Sequence, residues 1–245
     1  MWRMSEQNPF LGREVKSRRG GKVKPPLSRE RIVEVALRLL TQSGLEGMSL
    51  RAVAAALETG PASLYVYVDG LDSLRALVLD RALADVITTA SRRSWQTRIK
   101  SILSSYAQVL LATPGLAQLA LSTIAAGPHS LRILEALLAA LEDGGLDAAT
   151  SAWSVDLLLL YVTAIGAEQT QREGVAPTVG PIAHALQSAS VDELPRVHAA
   201  RAELLSGDGI ERFEWAIDTL LAGVLGNPVK RPRRKRAAEP LSRTR

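Results

Sequence analysis

The sequence contains no cysteine and only 4% aromatic residues. Without thiols there is no disulfide framework, no thiolate metal site and no cysteine nucleophile. A chain of 245 residues is long enough to bury a core without such staples, and the lack of thiols suits a reducing cytosol. Gly-x-Ser-x-Gly, a phosphate-cradling Gly-rich loop and clustered histidine are also missing, so the residues point away from an enzyme. His129, His184 and His198 lie far apart, and no metal or other cofactor is expected. Residues 1–9 hold no apolar run of the signal-peptide kind. Alternation of the strand type never lasts five residues.

Charge is absent from residues 101–131, a stretch long enough to cross ~30 Å of hydrocarbon. Gln108, Thr113 and Gln118 interrupt it, and Pro114-Gly115 breaks it in two. The other apolar run, Leu157–Ala167, reads as too short to span. Buried helices of a soluble protein account for both.

What charge there is falls at the ends. Residues 1–29 carry eight Lys and Arg against two Glu, and residues 227–245 carry eight against one. The body between them is acidic, with a balance of −8 inside a total of +5. Both tails have the low hydrophobicity and like-charge repulsion of disordered segments. A basic arm beside a DNA-reading element can neutralise phosphates and enter a minor groove; the plainer reading is that it aids solubility. Arg18, Arg19, Lys22 and Lys24 are the candidates in the N-terminal arm.

The period of 3.6 residues runs through the rest, which predicts an all-α protein. Ser28 caps a first helix that Gly44 stops, and Ser49 caps a second carrying Leu50, Val53, Ala54 and Leu57. A turn at 58–60 leads to Pro61, well placed at the first position of a third helix over 61–68. Asp72 reads as the cap of a long fourth helix. Further helices are predicted over 95–113, 114–126, 129–143, 147–173, 179–188 and 209–225, with loops at 174–178 and 192–195. The division expected is a basic arm (1–26), a helix-turn-helix domain (27–72), a ligand-binding and dimerisation bundle (73–226) and a basic tail (227–245).

In a helix-turn-helix the second helix of the pair lies in the major groove with its first residues against base edges. Pro61, Ala62 and Ser63 are small enough for close approach, and Ser63 can donate to a base or phosphate. Tyr65 and Tyr67 offer hydroxyls to phosphates, while Ser49 and Arg51 open the preceding helix where the DNA backbone should pass. Leu64 and Val68 face inward.

These residues carry a resemblance. Leu27 to Gly44, then Gly47-Met-Ser-Leu-Arg-Ala-Val-Ala, then Pro61-Ala-Ser-Leu-Tyr-Val-Tyr-Val resemble the DNA-binding domain of TetR-type transcriptional regulators. Asp69-Gly-Leu-Asp-Ser-Leu-Arg-Ala-Leu is similar to the start of that family's fourth helix. Thr113-Pro-Gly-Leu-Ala, 127–141 and 145–169 resemble its tetracycline-repressor-like C-terminal domain. The resemblance implies a homodimer that represses transcription from an inverted-repeat operator until a small molecule enters the bundle. Two positions depart from the family: Gly70-Leu71 lacks a basic residue at the start of the fourth helix, and Val66 stands where a polar one is common. The arm over 13–24 is expected to compensate.

Within the bundle, Trp153, Leu157 and Tyr161 share one helical face. With Tyr106, Gln118, Thr123 and His129 they are the candidates for a mostly apolar effector pocket. Leu160, Ala164 and Ala167 beside them, with Phe213, Ile217, Leu220, Leu221 and Val224 on the last helix, are the candidates for a dimer seam. Core packing would give the same patterns. The competing function is a helical ligand-binding or scaffold protein whose basic tails hold acidic partners without sequence preference. On the regulator reading the protein works in the bacterial cytoplasm, on the nucleoid.

Overall fold

A computed structural model describes residues 9–10, 26–89, 93–172 and 179–230; the roles expected of Arg18, Arg19, Lys22 and Lys24, and of the tail beyond Lys230, lie outside the described residues. Within them every regular element is helical.

Helix α1 (Arg29–Gly47) begins at Ser28, whose hydroxyl accepts the Arg31 N–H at 3.2 Å. The Glu30 carboxyl in its first turn is held below the ordinary glutamate range by its own backbone N–H and by Ser28. Its regular turns end at Gly44 (φ 66°), a left-handed position that only glycine takes without strain. Helix α2 (Leu50–Ala56) is capped by Ser49, which accepts from Ala52 N–H at 3.1 Å.

The segment 61–68 departs from the regular α-helix that its sequence predicts. Residues Pro61–Ser63 form a 3₁₀ turn, and Leu64–Tyr67 continue as turns. Tyr-Val-Tyr-Val alternates aromatic and β-branched residues, which lose rotamer freedom in a helix. Tertiary burial holds the segment instead: Leu64 is fully enclosed and Val68 is 2% exposed. Arg29 at the start of α1 donates through Nε to the Tyr67 carbonyl at 3.4 Å.

Helix α3 (Leu71–Ala82) joins this unit to the bundle. Gly70 (φ 134°) takes the cap position predicted for Asp72, which lies in the first turn and pairs with Arg75. With its cap at residue 70, α3 begins two residues earlier than the sequence pattern indicates. A 3₁₀ turn, Leu83–Asp85, closes α3.

Helices α4 (Trp95–Ala112), α5 (Leu116–Ser122), α6 (Pro128–Asp143) and α7 (Ala148–Arg172) form the bundle. Gly115 (φ 79°) fits between α4 and α5 where a Cβ would meet Leu40 Cδ1 at 3.0 Å and Leu45 N at 3.3 Å, so α1 docks directly on this corner. One apolar cluster therefore runs from Leu27 in the N-terminal unit to Leu221 in the last helix. Helix α8 (Val179–Gln187) precedes α9 (Pro195–Ala199) and α10 (Arg201–Leu205), two short helices in a region whose sequence shows no clear period. Helix α11 (Gly209–Gly226) opens with a capping box between Asp208 and Glu211 and packs on α7 and α4, where Lys100 meets Asp218 at 2.6 Å.

Helix α7 also corrects the reading of Leu157–Ala167 as too short to span. Residues Ala148–Thr170 are long and apolar enough to cross a membrane by length and composition. Its Val155, Leu158, Val162 and Ala167 are buried against the bundle, as a core helix requires.

Asp147 caps α7, accepting from Ala149 N–H, Thr150 N–H and the Thr150 hydroxyl at 2.9, 3.2 and 2.6 Å. The same Thr150 oxygen accepts Val229 N–H at 2.9 Å and ties down the chain after α11. The Thr150 hydroxyl first, then its N–H, holds the Asp147 carboxyl below the ordinary aspartate range. A lowered folded-state pKa makes this contribution complete at neutral pH and lost as pH falls through the lowered value. Asp147→Ala should therefore lower the melting temperature at neutral pH, with the gap to the parent narrowing in acid. Melting curves across pH check this, and a constant gap would contradict it.

Candidate nucleic-acid interface

Helix α2 ends in a left-handed residue, Glu58 (φ 49°). Glu58 N–H reaches Ala55 O and Thr59 N–H reaches Ala54 O, both at 2.9 Å. This pair of bonds satisfies the last carbonyls of α2 and turns the chain sharply into Gly60-Pro61. With Leu64 and Val68 anchored inward at i and i+4, Tyr65 and Val66 between them point out. Pro61 and Ala62 are exposed, Ser63 is half-buried, and Tyr65 and Val66 are 57% and 52% exposed. Arg51 is exposed at the start of α2, close behind the half-buried Ser49 cap. Tyr67 is half-buried with its ring against the core, so its role is at least partly to seat the segment. Pro61, Ala62, Tyr65 and Arg51 are thus displayed on the surface of one compact unit.

The candidate pocket residues separate. Tyr106 (7% exposed) lies inside the bundle with its hydroxyl 2.8 Å from Thr163 Oγ1. Thr163 gives its own hydrogen to Leu159 O at 2.7 Å, so Tyr106 is the donor of that pair. Burial pushes the Tyr106 phenol up. Gln118 donates through Nε2 to Thr170 Oγ1 at 2.8 Å and to Ala167 O at 3.3 Å, while its Oε1 is buried without a partner among the described residues. Thr123 stands half-exposed at the end of α5, and His129 is held by Asp80 at the α3–α6 junction. Trp153 and Leu157 do not line an interior pocket: they are 69% and 41% exposed on the outer face of α7. Tyr161 stacks on Phe213, ring centroids 6.4 Å apart, and joins α7 to α11. A groove of about 830 Å³ lies elsewhere, between α1 and α3, with Arg31, Arg38 and Arg81 among its walls.

The candidate seam also divides. Ala167, Ile217 and Leu221 are buried within the protomer and cannot meet a partner. Gly166 and Ala167 serve the close packing of α7 on its own neighbours, where a Cβ on Gly166 would lie 3.4 Å from Ala117. Leu160 (57% exposed) and Ala164 remain outside, and Phe213, Leu220 and Val224 are half-buried. Ile210 and Trp215, both 71% exposed, extend the apolar surface of α11. Trp215 was legible as a tryptophan just off the buried stripe of that helix.

Comparison with known proteins agrees with this layout. Residues 32–69 match the family model for bacterial regulatory proteins of the tetR family, and residues 89–227 match the tetracyclin repressor-like C-terminal domain. An HTH-type transcriptional regulator of Saccharopolyspora erythraea is 30% identical over 206 residues, covering 83% of this chain and 86% of its own. The HTH-type transcriptional repressor DrrR1 of Streptomyces coeruleorubidus is 26% identical over 211 residues, or 82% and 78% of the two chains. Among solved structures, the Streptomyces coelicolor TetR family protein ActR in complex with (S)-DNPA superposes with TM-score 0.75 at 32% identity, over 82% of this chain and 98% of that one. ActR has also been solved in complex with actinorhodin. Both domain matches, in the order and at the places where the reading unit and the bundle lie, make this chain a member of the TetR family of helix-turn-helix transcriptional regulators.

Proposed function

We propose that this regulator is a dimeric repressor that reads an inverted-repeat operator with residues 61–68 of each protomer and is released by a small molecule bound among α4–α7. Its working divisions are then a DNA-reading unit over 27–72 and an effector and dimer unit over 73–226, flanked by basic segments, acting on the chromosome in the cytoplasm. The observation that carries this reading is the outward display of Pro61, Ala62 and Tyr65 around the buried anchors Leu64 and Val68. Selection of genomic fragments by the purified protein, followed by titration of the chosen site against random duplex, tests it. Repression requires a preference of ~10³ or more.

Two residues carry the selectivity in this reading and one carries general attraction. Ser63→Ala and Tyr65→Ala should each weaken operator binding by about tenfold or more while sparing random duplex. Arg51→Ala should weaken both alike and reduce the salt slope by about 1. Operator titrations at several salt concentrations distinguish these outcomes, and neutral Ser63 and Tyr65 variants would mean that another face reads the DNA.

The N-terminal arm replaces the phosphate contact that Gly70-Leu71 does not offer. Deleting residues 1–24 should flatten the salt dependence of operator binding by about 0.9 for each phosphate that the arm neutralises. An unchanged slope would remove the arm from the interface.

The second copy sits on the outer faces of α7 and α11. Trp153, Leu157, Leu160 and Ala164 on one helix, and Ile210 and Trp215 on the other, form an apolar surface left uncovered by the described residues of the protomer. Two such surfaces related by a two-fold axis make a four-helix seam, which needs to bury ~1,000 Å² or more to be stable. Trp153→Glu combined with Trp215→Glu should halve the mass in sedimentation and abolish operator selectivity, leaving weak binding to random duplex.

We place the effector beside Tyr106 and Gln118, among the apolar side chains of the bundle. There the orphan Gln118 Oε1 asks for a hydrogen-bond donor. A largely apolar molecule with a hydroxyl or amide N–H fits this chemistry, and the ligand complexes of ActR support a small-molecule site in a bundle of this fold.

A further inference from the structure

Helix α3 and helix α6 meet through one carboxylate. Asp80, 4% exposed in the last turns of α3, receives the backbone N–H of His129 at 3.1 Å and of Ser130 at 2.9 Å. It also receives the Ser130 hydroxyl at 2.9 Å and His129 Nδ1 at 2.8 Å. A carboxylate only accepts, so Nδ1 carries the hydrogen in that pair. The two backbone groups are unpaired donors of the first turn of α6, where the helix dipole favours negative charge. Gly127 makes room for the clasp: a Cβ there would lie 2.1 Å from Asp80 Cγ and 2.3 and 2.5 Å from its oxygens. A buried carboxylate is costly unless it is fully bonded, and four donors meet that requirement.

We propose that Asp80 is a positioning residue for operator recognition, its carboxylate clasped by the N-terminus of α6 so that α3 leaves the bundle in one fixed direction. This rests on the reading of the protein as a dimer with two DNA-reading units. The reading segment ends at Val68, and α3 begins at Leu71, so the angle of α3 is the angle of the reading unit. From Asp80 back to Leu71 the helix is ~14 Å long, and a tilt of about 10° at the clasp moves its far end by ~2 Å. The two-fold doubles this across a dimer, enough to spoil register on two half-sites. Apolar packing resists such a tilt softly, whereas hydrogen bonds to a carboxylate are directional and are either made or broken. Helix α6 also packs on α4 and α7, so a shift of the bundle against α6 is passed to α3 at Asp80.

The absence of cysteine allows a direct test. A nitroxide on Ala56→Cys, exposed at the end of α2, reports the distance between the two reading units without any other label site. In Asp80→Asn, and in Gly127→Ala, this distance should shift or broaden. Affinity for the operator selected by the parent protein should fall about tenfold or more, with dimer mass and random-duplex affinity unchanged. His129→Asn, whose Nδ2 replaces the ring donor, should behave as the parent does, while His129→Leu should move partway toward Asp80→Asn. Parent-like label distances and selectivity in both Asp80→Asn and Gly127→Ala would overturn the proposal. So would a parallel loss of random-duplex binding and thermal stability, which would make the clasp a fold determinant only. Should Asp80→Asn fail to fold, the two His129 variants decide. If the parent itself prefers no genomic fragment over random duplex, the operator reading falls, and the label distances measured without DNA still judge the clasp.

Discussion

From Leu74 to Ala82 nearly every side chain of α3 is enclosed: Leu74, Ala76, Leu77, Val78, Leu79, Asp80 and Ala82 are buried, and Arg81 alone is exposed. A helix closed in on almost all sides cannot rotate or slide without disturbing the elements around it. Because α3 carries the reading unit at one end and the α6 contact at the other, this enclosure makes the two ends respond to each other. An amphipathic surface helix with one apolar stripe would have left the head free to swing. The functional demand on this chain is thus met by an unusually wide apolar surface on a short helix, with a single buried charge marking the one point where direction is fixed.

The reading segment is held by a different balance. Its eight residues have poor helix propensity, and they keep their shape through Leu64, Val68 and the Arg29 bond to Tyr67 O. Local preference and tertiary constraint disagree here, and the tertiary constraint wins. Proline at the first position and a left-handed Glu58 before it limit how the chain can enter the segment. Together these fix which side chains face out before any DNA is present, so less ordering cost remains for binding.

Much of the fold was legible because punctuation is local. Ser28, Ser49, Gly44 and Pro114-Gly115 mark helix ends through bonds to their immediate neighbours, and the helices at 95–112, 128–143, 148–172 and 209–226 follow the sequence reading closely. What the sequence did not show is that Gly44 and Gly115 touch, which is how α1 docks on the bundle. The partition of α7 was illegible for a related reason. Apolar residues occur all round it, so its period does not say which stripe lies inside; only its contacts with α4, α5 and α6 choose Val155, Leu158 and Val162 over Trp153, Leu157 and Leu160. Ile217 and Leu221 on α11 were misassigned to the seam by the same ambiguity. Asp80 gave no signal at all, since a single acid in an apolar helix becomes meaningful only when the turn at Gly127 folds against it.

The polar groups inside the bundle set terms for any effector. Tyr106 already donates to Thr163, and Gln118 to Thr170 and Ala167 O, so a ligand that merely displaces these bonds gains little from them. For an effector at the proposed site the affinity would come from apolar area, with the unfilled Gln118 Oε1 as a polar contact available without a loss elsewhere. Affinity alone does not release DNA, however. A ligand bound equally well by both arrangements of α3 shifts nothing, whatever its Kd. Release requires that the ligand prefer the arrangement of α3 that does not fit the operator, so what matters is the difference it makes between the two arrangements rather than how tightly it is held.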